Sequence, residues 1–492
     1  MRDPDRLLRV VAGIGVGLAL VTGFGPLQSS AQTIAGPTPA VAVAAAPVVV
    51  VVAPPESTAP PAASSTSPPT TTPLPTAPAP VTTTTLPPST QQYVEYAIRA
   101  IEKYAYKRDS VDWPTIKANL VAATAAATTY GETHAAITQA VKALNDRHSS
   151  FTAPTAAAKQ SAGKVDSFGF LAEYPSRIVV VVVPGGPAAL AGLRVGDRID
   201  KVDGKTPKNT ATAIAIPRDK EGQLPKSVTL TWVRKGVKKP LTKTLVLAEV
   251  TLVSVPVTAP VPTIPGVNAQ SIGRLGYIDV PGIIADPTGL ALFATQLQQQ
   301  IKDLETATPR CGWIVDLRKN RGGYIHSMLA GLGPLTDGGL GQPVGGKRNA
   351  DGSTENWLYQ DGVSYTNDRK EVSAQVSFSL PNGAVPVAVL TSKLTASAGE
   401  AVTVTFRGRP NTRSFGEPTT GIPTFNVRVR MADGAFLDLM QAVDMDRTGR
   451  TYEGPIPPDE VVATDWKNVG TIDDPVLGAA IRWLSIQGTC PV

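Results

Sequence analysis

Three short stretches carry residue types that could do chemistry. Asp146-Arg147-His148-Ser149-Ser150-Phe151 offers an imidazole. Asp316-Leu317-Arg318-Lys319-Asn320-Arg321-Gly322-Gly323 offers a glycine turn, and Thr395-Ala396-Ser397-Ala398-Gly399-Glu400 a hydroxyl with a nearby carboxylate. A serine hydroxyl becomes a nucleophile when a base titrating near neutral pH takes its proton, and an imidazole at about 6.5 meets that need. A glycine turn at a helix start exposes backbone N–H groups able to hold an oxyanion. Lys393 precedes Ser397 by four positions, but as a base it would need a pKa lowered by burial that nothing in the sequence suggests. Each residue also has an ordinary reading. Ser397 before a helix is an N-cap, and His148 just past a helix end complements the dipole. His134 and His326 read as surface or supporting residues.

The elements around these stretches position them at strand ends. Gly312–Leu317 (GWIVDL) is a buried strand running into the glycine turn, and Tyr324–Gly331 can form a helix after it. Ala384–Ser392 (AVPVAVLTS) is a second such strand, and Gly399–Arg407 can open a helix that starts just beyond Ser397. With a strand in GRLGYIDVPG and an amphipathic helix over Thr288–Leu304, the stretch from about Val253 onward alternates strand and helix, which argues for a sheet with helical cover.

The preceding chain falls into two textures. Tyr93, Ala97, Ile98 and Ile101 recur at helical spacing, Asp109 or Ser110 is placed to cap a second helix, and Ile137, Ala140, Val141 and Leu144 form a third stripe ending near Asn145. From Val165 to Glu249 the pattern turns to strands: Ser167–Phe170 (SFGF), the β-branched Arg177–Val183, a short helix over Pro187–Ala191 stopped by Gly192, a hairpin turn at Asp203-Gly204, and the alternating SVTLTWV.

Composition excludes several classes. The net charge of +6 is spread along the chain and aromatics are only 5%, so neither a basic nucleic-acid surface nor a base-stacking platform is indicated. Two cysteines, Cys311 and Cys490, and three histidines supply neither a disulfide framework nor a metal site, and no metal or nucleotide motif is present. No cofactor is expected.

The N-terminus reads as exported. Arg2, Arg6 and Arg9 precede the uncharged run Val10–Leu27, and small residues follow up to Ala31; this is either a cleaved export signal or a membrane anchor. Residues 54–90 hold 12 Pro and 11 Thr with one charge, at Glu56, a composition that cannot offset chain entropy and reads as a semi-extended tether. The expected organisation is thus a signal or anchor over 1–31, a Pro/Thr-rich linker over 32–91, a helical region over 92–160, a β-rich domain over 165–250 and an α/β core over 253–492.

Two resemblances sharpen this reading. Gly192–Gly204 (GLRVGDRIDKVDG) and the SFGF loop resemble a PDZ domain, which implies that the backbone amides of Phe168, Gly169 and Phe170 receive a terminal carboxylate while the peptide adds a strand. Taken together and in order, this domain, DLRKNRGG and TASAGE resemble the tail-specific, C-terminal processing peptidases, whose core is shared with the tricorn protease. That resemblance covers roughly residues 92–465 and implies that Ser397 is the nucleophile. It further implies that Gly322 or Gly323 forms an oxyanion hole with the N–H of Ala398, and that Glu400 lies in or near the site. The processing peptidases proper draw their base from a Phe-Gly-Lys-Gly stretch; here Ser414-Phe415-Gly416-Glu417-Pro418 puts Glu417 at the lysine position. The tricorn-like and lantibiotic-resistance branch instead uses a histidine in Asp-x-His-Ser-x-Phe, which DRHSSF matches, so His148 is the expected general base. Ser149 and Glu400 are candidates to orient it. The expectation is an α/β multi-domain serine endopeptidase acting on polypeptide substrates. Its competitors are a non-catalytic peptide- or ligand-binding protein on the same fold and an envelope scaffold. The substrate sequence and the oligomeric state are not legible.

Overall fold

A computed structural model of the chain describes residues 88–488 apart from 211, 219–223, 252–256, 263–271, 337–341 and 381–384. The signal-or-anchor reading of 1–31, nearly all of the tether, and Cys490 lie outside the described residues.

The α/β core is built on a six-stranded sheet in the order Val257–Thr258, Leu275–Asp279, Gly312–Asp316, Val387–Thr391, Thr412–Gly416 and Glu460–Val461. All neighbours run parallel except the first pair. Parallel strands buried on both faces need apolar side chains in both directions, and the sequence supplies them. Trp313, Val315, Val387 and Val389 point into a cluster with Phe293, Leu297 and Met328 from the helices Pro287–Ala307 and Ile325–Leu332. Ile314, Ala388 and Leu390 point the other way, onto Val476, Leu477 and Ile481 of the helix Pro475–Ser485. The glycine turn and the Ser397 loop both leave the C-terminal ends of central strands, where ligands of parallel sheets bind.

A second, antiparallel sheet carries the strands that were not read from the sequence. Its central strand Phe436–Asp446 pairs with Pro343–Asn349, with Thr424–Arg430 and with the short Ser150–Thr152. The last pairing joins the front of the chain to its rear, Ser150 lying opposite Asp438. The helices Thr90–Tyr104, Trp113–Thr124 and Tyr130–Ala143 pack behind this sheet, with Ile98, Ile101, Ile137 and Leu144 against Val429, Leu437 and Leu439. The helical region is therefore a wall of the core. Its first helix starts at Thr90, two residues inside the expected linker, because Ser89 and Gln92 form a reciprocal capping box. The second helix is capped by Asp112 and not by Asp109 or Ser110: Pro114 fits the first turn, and the Asp112 carboxylate accepts from Thr115 N at 3.2 Å.

The β-rich domain is closed by Lys164–Ser167 pairing with Ala248–Thr251. It contains the hairpin-like pair Phe170–Ala172 and Val179–Val182 and a three-stranded sheet of Arg198–Val202, Ser227–Val233 and Leu241–Val246. Along Ser227–Val233 the side chains alternate, with Val228, Leu230 and Trp232 buried, as a half-exposed strand requires. Leu171, Ile178 and Val180 of this domain pack on Leu394 and Trp466 of the core.

Candidate active site

The two motif loops are fastened to each other by buried groups. Arg318 is fully buried, with its guanidinium on Asp316 at 2.6 Å and on Asp474 at 2.9 Å. Backbone oxygens of its loop then receive the next one: Arg318 O accepts from Ser392 Oγ at 2.6 Å, Leu317 O from Thr395 Oγ1 at 2.9 Å, and Asn320 O from Ala396 N at 2.9 Å. Asn320 braces the turn by accepting from Gly322 N at 2.9 Å and donating to Val280 O at 3.0 Å. Glycine is required at both contact points. A Cβ on Gly399 would stand 2.6 Å from Asn320 O, and one on Gly322, whose φ is +99°, would stand 2.7 Å from Ser397 Cβ.

Ser397 adopts φ 52°, ψ −123°, a conformation that a non-glycine residue holds only under constraint. The constraint is Glu400. One of its oxygens accepts from Ser397 N at 2.9 Å and Ile422 N at 2.9 Å, the other from Gly421 N at 2.8 Å and Thr419 Oγ1 at 2.5 Å. Burial pushes the Glu400 carboxyl up to about 7 in spite of these donors, which pull it down. Asp444, buried nearby, is held well above the carboxylate range by its own burial and by the Glu400 charge.

His148 reaches the same point from the opposite end of the sequence. Asp146 shapes its loop by accepting from His148 N at 2.9 Å and Ser149 N at 2.7 Å. Ser149 Oγ donates to Asp146 and receives Met440 N, so it anchors the loop to the antiparallel sheet and does not touch the imidazole. His148 Nε2 lies 3.1 Å from Ser397 Oγ, and Nδ1 lies 2.5 Å from Thr424 Oγ1. Burial pushes the imidazole down to about 4, against Asp146 and Asp438, which pull it up. It is therefore neutral at physiological pH, with a lone pair to offer. The Gly322 N–H is committed to Asn320. The amides of Gly323 and Ala398 have no backbone or side-chain acceptor among the described residues, and Ala398 opens a helix.

Residues 274–462 match peptidase family S41, and residues 178–234 match a PDZ domain. The nisin-resistance protein of Lactococcus lactis subsp. lactis is 35% identical over 153 residues, which cover 30% of this chain and 45% of that protein. The chloroplastic carboxyl-terminal-processing peptidase 2 of Arabidopsis thaliana is 25% identical over 347 residues, 66% of this chain and 61% of the relative. The chain thus spans about half to three fifths of the length of these curated relatives. A solved structure of the photosystem II D1 C-terminal processing protease aligns over 82% of this chain and 99% of its own, at 20% identity and a TM-score of 0.49. The core is an S41 peptidase domain.

Ser397, the glycine turn and Thr424 belong to this S41 domain, whereas His148 enters it from outside the matched segment. Thr424 was not singled out in the sequence. A threonine in Ile422-Pro423-Thr424-Phe425 belongs to no motif, and only the strand pairing that lays Thr424 beside Val443 brings it under the imidazole. Of the other bases considered, Lys393 is ion-paired with the buried Glu173 of the PDZ domain. His134 bonds Asp433 at 2.8 Å, and His326 is 1% exposed with Nε2 3.2 Å from Thr366 Oγ1. Neither pairs with Ser397.

In the PDZ domain Gly169 adopts φ +76° and its N–H donates to Ser167 Oγ at 3.0 Å. Gly169 O accepts from Val183 N, so strand alternation turns the Phe170 amide to the opposite edge. Phe168 is buried in the domain core. The far end of that edge is occupied by the chain itself: Tyr174 N donates to Thr212 O at 3.0 Å, and Glu173 bridges Ala213. Among the described residues no His/Cys/Asp/Glu group of metal-binding size occurs, and no helix is long and apolar enough to cross a membrane.

Proposed function

We propose that this chain is an exported serine endopeptidase that cleaves polypeptides by acyl-enzyme chemistry, with Ser397 as nucleophile and His148 as general base. The reading is carried by the 3.1 Å separation of Ser397 Oγ and His148 Nε2. With Nδ1–H donating to Thr424, Nε2 is the free acceptor for the serine proton. Ser397 Oγ attacks the scissile carbonyl carbon while its proton moves to Nε2. The resulting oxyanion faces the N–H groups of Gly323 and Ala398. Collapse expels the amine, which takes the proton back from His148 and leaves an ester on Ser397; water, deprotonated by the same nitrogen, then releases the acid.

Substrate is captured near its C-terminus, with the terminal carboxylate at the Phe168–Phe170 loop and a strand added along the Phe170–Ala172 edge. The contact of Tyr174 with Thr212 limits that strand to a few residues. Export is supported by the basic, then apolar, N-terminal segment.

The test combines labelling and turnover. A serine-directed fluorophosphonate should label the wild type and fail to label Ser397→Ala. Ser397→Ala and His148→Ala should each lose on the order of 10⁴-fold or more in kcat/KM with the fold intact by circular dichroism. Undiminished peptide cleavage by either variant refutes the role assigned to that residue.

A further inference from the structure

We propose that Arg321 is a specificity-determining residue that binds a carboxylate of the polypeptide substrate within a few residues of the scissile bond. This rests on the reading of Ser397 above and extends it to substrate choice.

The loop from Asp316 to Gly323 carries three cations, and they are not treated alike. Arg318 is matched by Asp316 and Asp474, and Lys319 lies 3.2 Å from Asp279. Arg321 meets no carboxylate among the described residues. Its Nη1 is shielded from solvent with no hydrogen-bond partner, while the side chain as a whole stays partly exposed. Burial lowers the guanidinium pKa, and no acid opposes that shift. A half-buried, unmatched guanidinium is costly, and the loop's own polar groups do not relieve it, since both ends of the Asn320 amide are engaged elsewhere. An arriving carboxylate would offset that cost through its opposite charge, the pairing that arginine favours.

The position follows from contacts already described. A Cβ on Gly322 would stand 2.7 Å from Ser397 Cβ. Adding one bond and one Cα–Cα step puts the Arg321 Cα within about 8 Å of Ser397 Cβ, and an extended arginine reaches roughly 6–7 Å further. A substrate strand advances about 3.3 Å per residue, so the carboxylate lies within about four residues of the bond to be cut. In a polypeptide such a group is an Asp or Glu side chain, or the C-terminus itself in a substrate that does not seat that terminus at the Phe168–Phe170 loop.

A quenched-fluorescent peptide that the wild type cleaves would be made in matched forms: free C-terminal acid against C-terminal amide, and each internal Asp or Glu against Asn or Gln. The wild type should favour the acidic member of at least one pair about tenfold or more in kcat/KM, and the responding pair identifies the source of the carboxylate. Arg321→Gln should collapse that ratio toward one, and Arg321→Lys should retain part of it. A ratio of one in every wild-type pair, or a wild-type ratio preserved in Arg321→Gln while both rates fall together, overturns the inference and leaves the Ser397 reading standing. If the wild type cleaves no peptide, it is the Ser397 reading that fails. The same ratio is then read from dissociation constants of the matched peptides, and ratios of one there overturn the role of Arg321.

Discussion

His148 Nδ1 meets the hydroxyl of Thr424 at 2.5 Å, while the nearest motif carboxylate, Asp146, accepts from the backbone of the same histidine. The imidazole is thus oriented by a neutral partner. A hydroxyl fixes the ring and tautomer without stabilising the imidazolium as a carboxylate does, in keeping with the low pKa of His148. Thr424→Val leaves a buried N–H unpaired at a cost of about 1–3 kcal/mol, which corresponds to roughly 10–100-fold in kcat. Steady-state kinetics should show that loss with KM little changed, and Thr424→Ser should restore most of it.

The pH profile follows from the same environment. His148 must be neutral to accept the serine proton, and its pKa is pushed down to about 4. The acid limb of kcat/KM should therefore fall near pH 4, well below the ordinary imidazole value of about 6.5. An inflection at 6.5 in the rate profile would show that the imidazole is solvated in the working enzyme.

Stability should carry the opposite signatures of two buried groups. For His148 the unfolded chain binds its proton below about 6.5 and the native protein only below about 4, so stability rises with pH through that window. For Glu400 the native protein holds the proton up to about 7, so its contribution is complete below the unfolded carboxyl value and declines as pH rises toward 7. These two contributions oppose each other in the wild type. His148→Gln removes the rising one, so urea denaturation between pH 4.5 and 7 should show stability changing less favourably with pH in the variant than in the wild type.

The sheet core and the two motif loops were legible because their signals are local. GWIVDL and VPVAVLT are apolar on both faces, and glycine turns at strand ends mark where a parallel sheet places its site. The strands Pro343–Asn349, Thr354–Gln360, Thr424–Arg430 and Phe436–Asp446 were not legible. Lys347, Asp444 and Asp446 are buried in that sheet beside paired residues, so the apolar alternation that announces a strand is broken by charge. Thr424 was lost with them, since its meaning depends on register. The approach of residue 148 to residue 397 was expected from a resemblance; physically it depends on Ser150–Thr152 pairing with Phe436–Asp446 across most of the chain, which no local pattern encodes.

Glu400 should be intolerant of even an isosteric change. Each of its oxygens accepts two hydrogen bonds, and one of the four comes from the backbone of Ser397 itself. Glu400→Gln turns one oxygen into an NH₂ group that faces two donors, leaving at least one buried N–H unpaired at about 1–3 kcal/mol. The φ of 52° at Ser397 then loses its restraint. Chemical denaturation should register a loss of that order, and kcat should fall about tenfold or more, because the hydroxyl no longer rests against Nε2.

The contact between Gly322 and Ser397 makes the sharpest steric prediction. A methyl group at residue 322 would meet Ser397 Cβ at 2.7 Å and Ala396 O at 2.9 Å, at a backbone φ of +99°. These atoms belong to the nucleophile loop, which is tied by Ser392, Thr395 and Ala396 to the strand end that carries the glycines. Neither side can yield without breaking those bonds. Gly322→Ala should therefore displace Ser397 from His148, lowering kcat/KM by about 10²-fold or more, as small misplacements of reacting groups do. Gly352→Ala is the control for strain alone: its φ is +83° with open space around it, and it lies in a turn far along the chain from the site. It should reduce stability modestly and leave the rate of fluorophosphonate labelling near the wild-type value. If Gly322→Ala is labelled as fast as Gly352→Ala, the two loops are not in contact in solution as described.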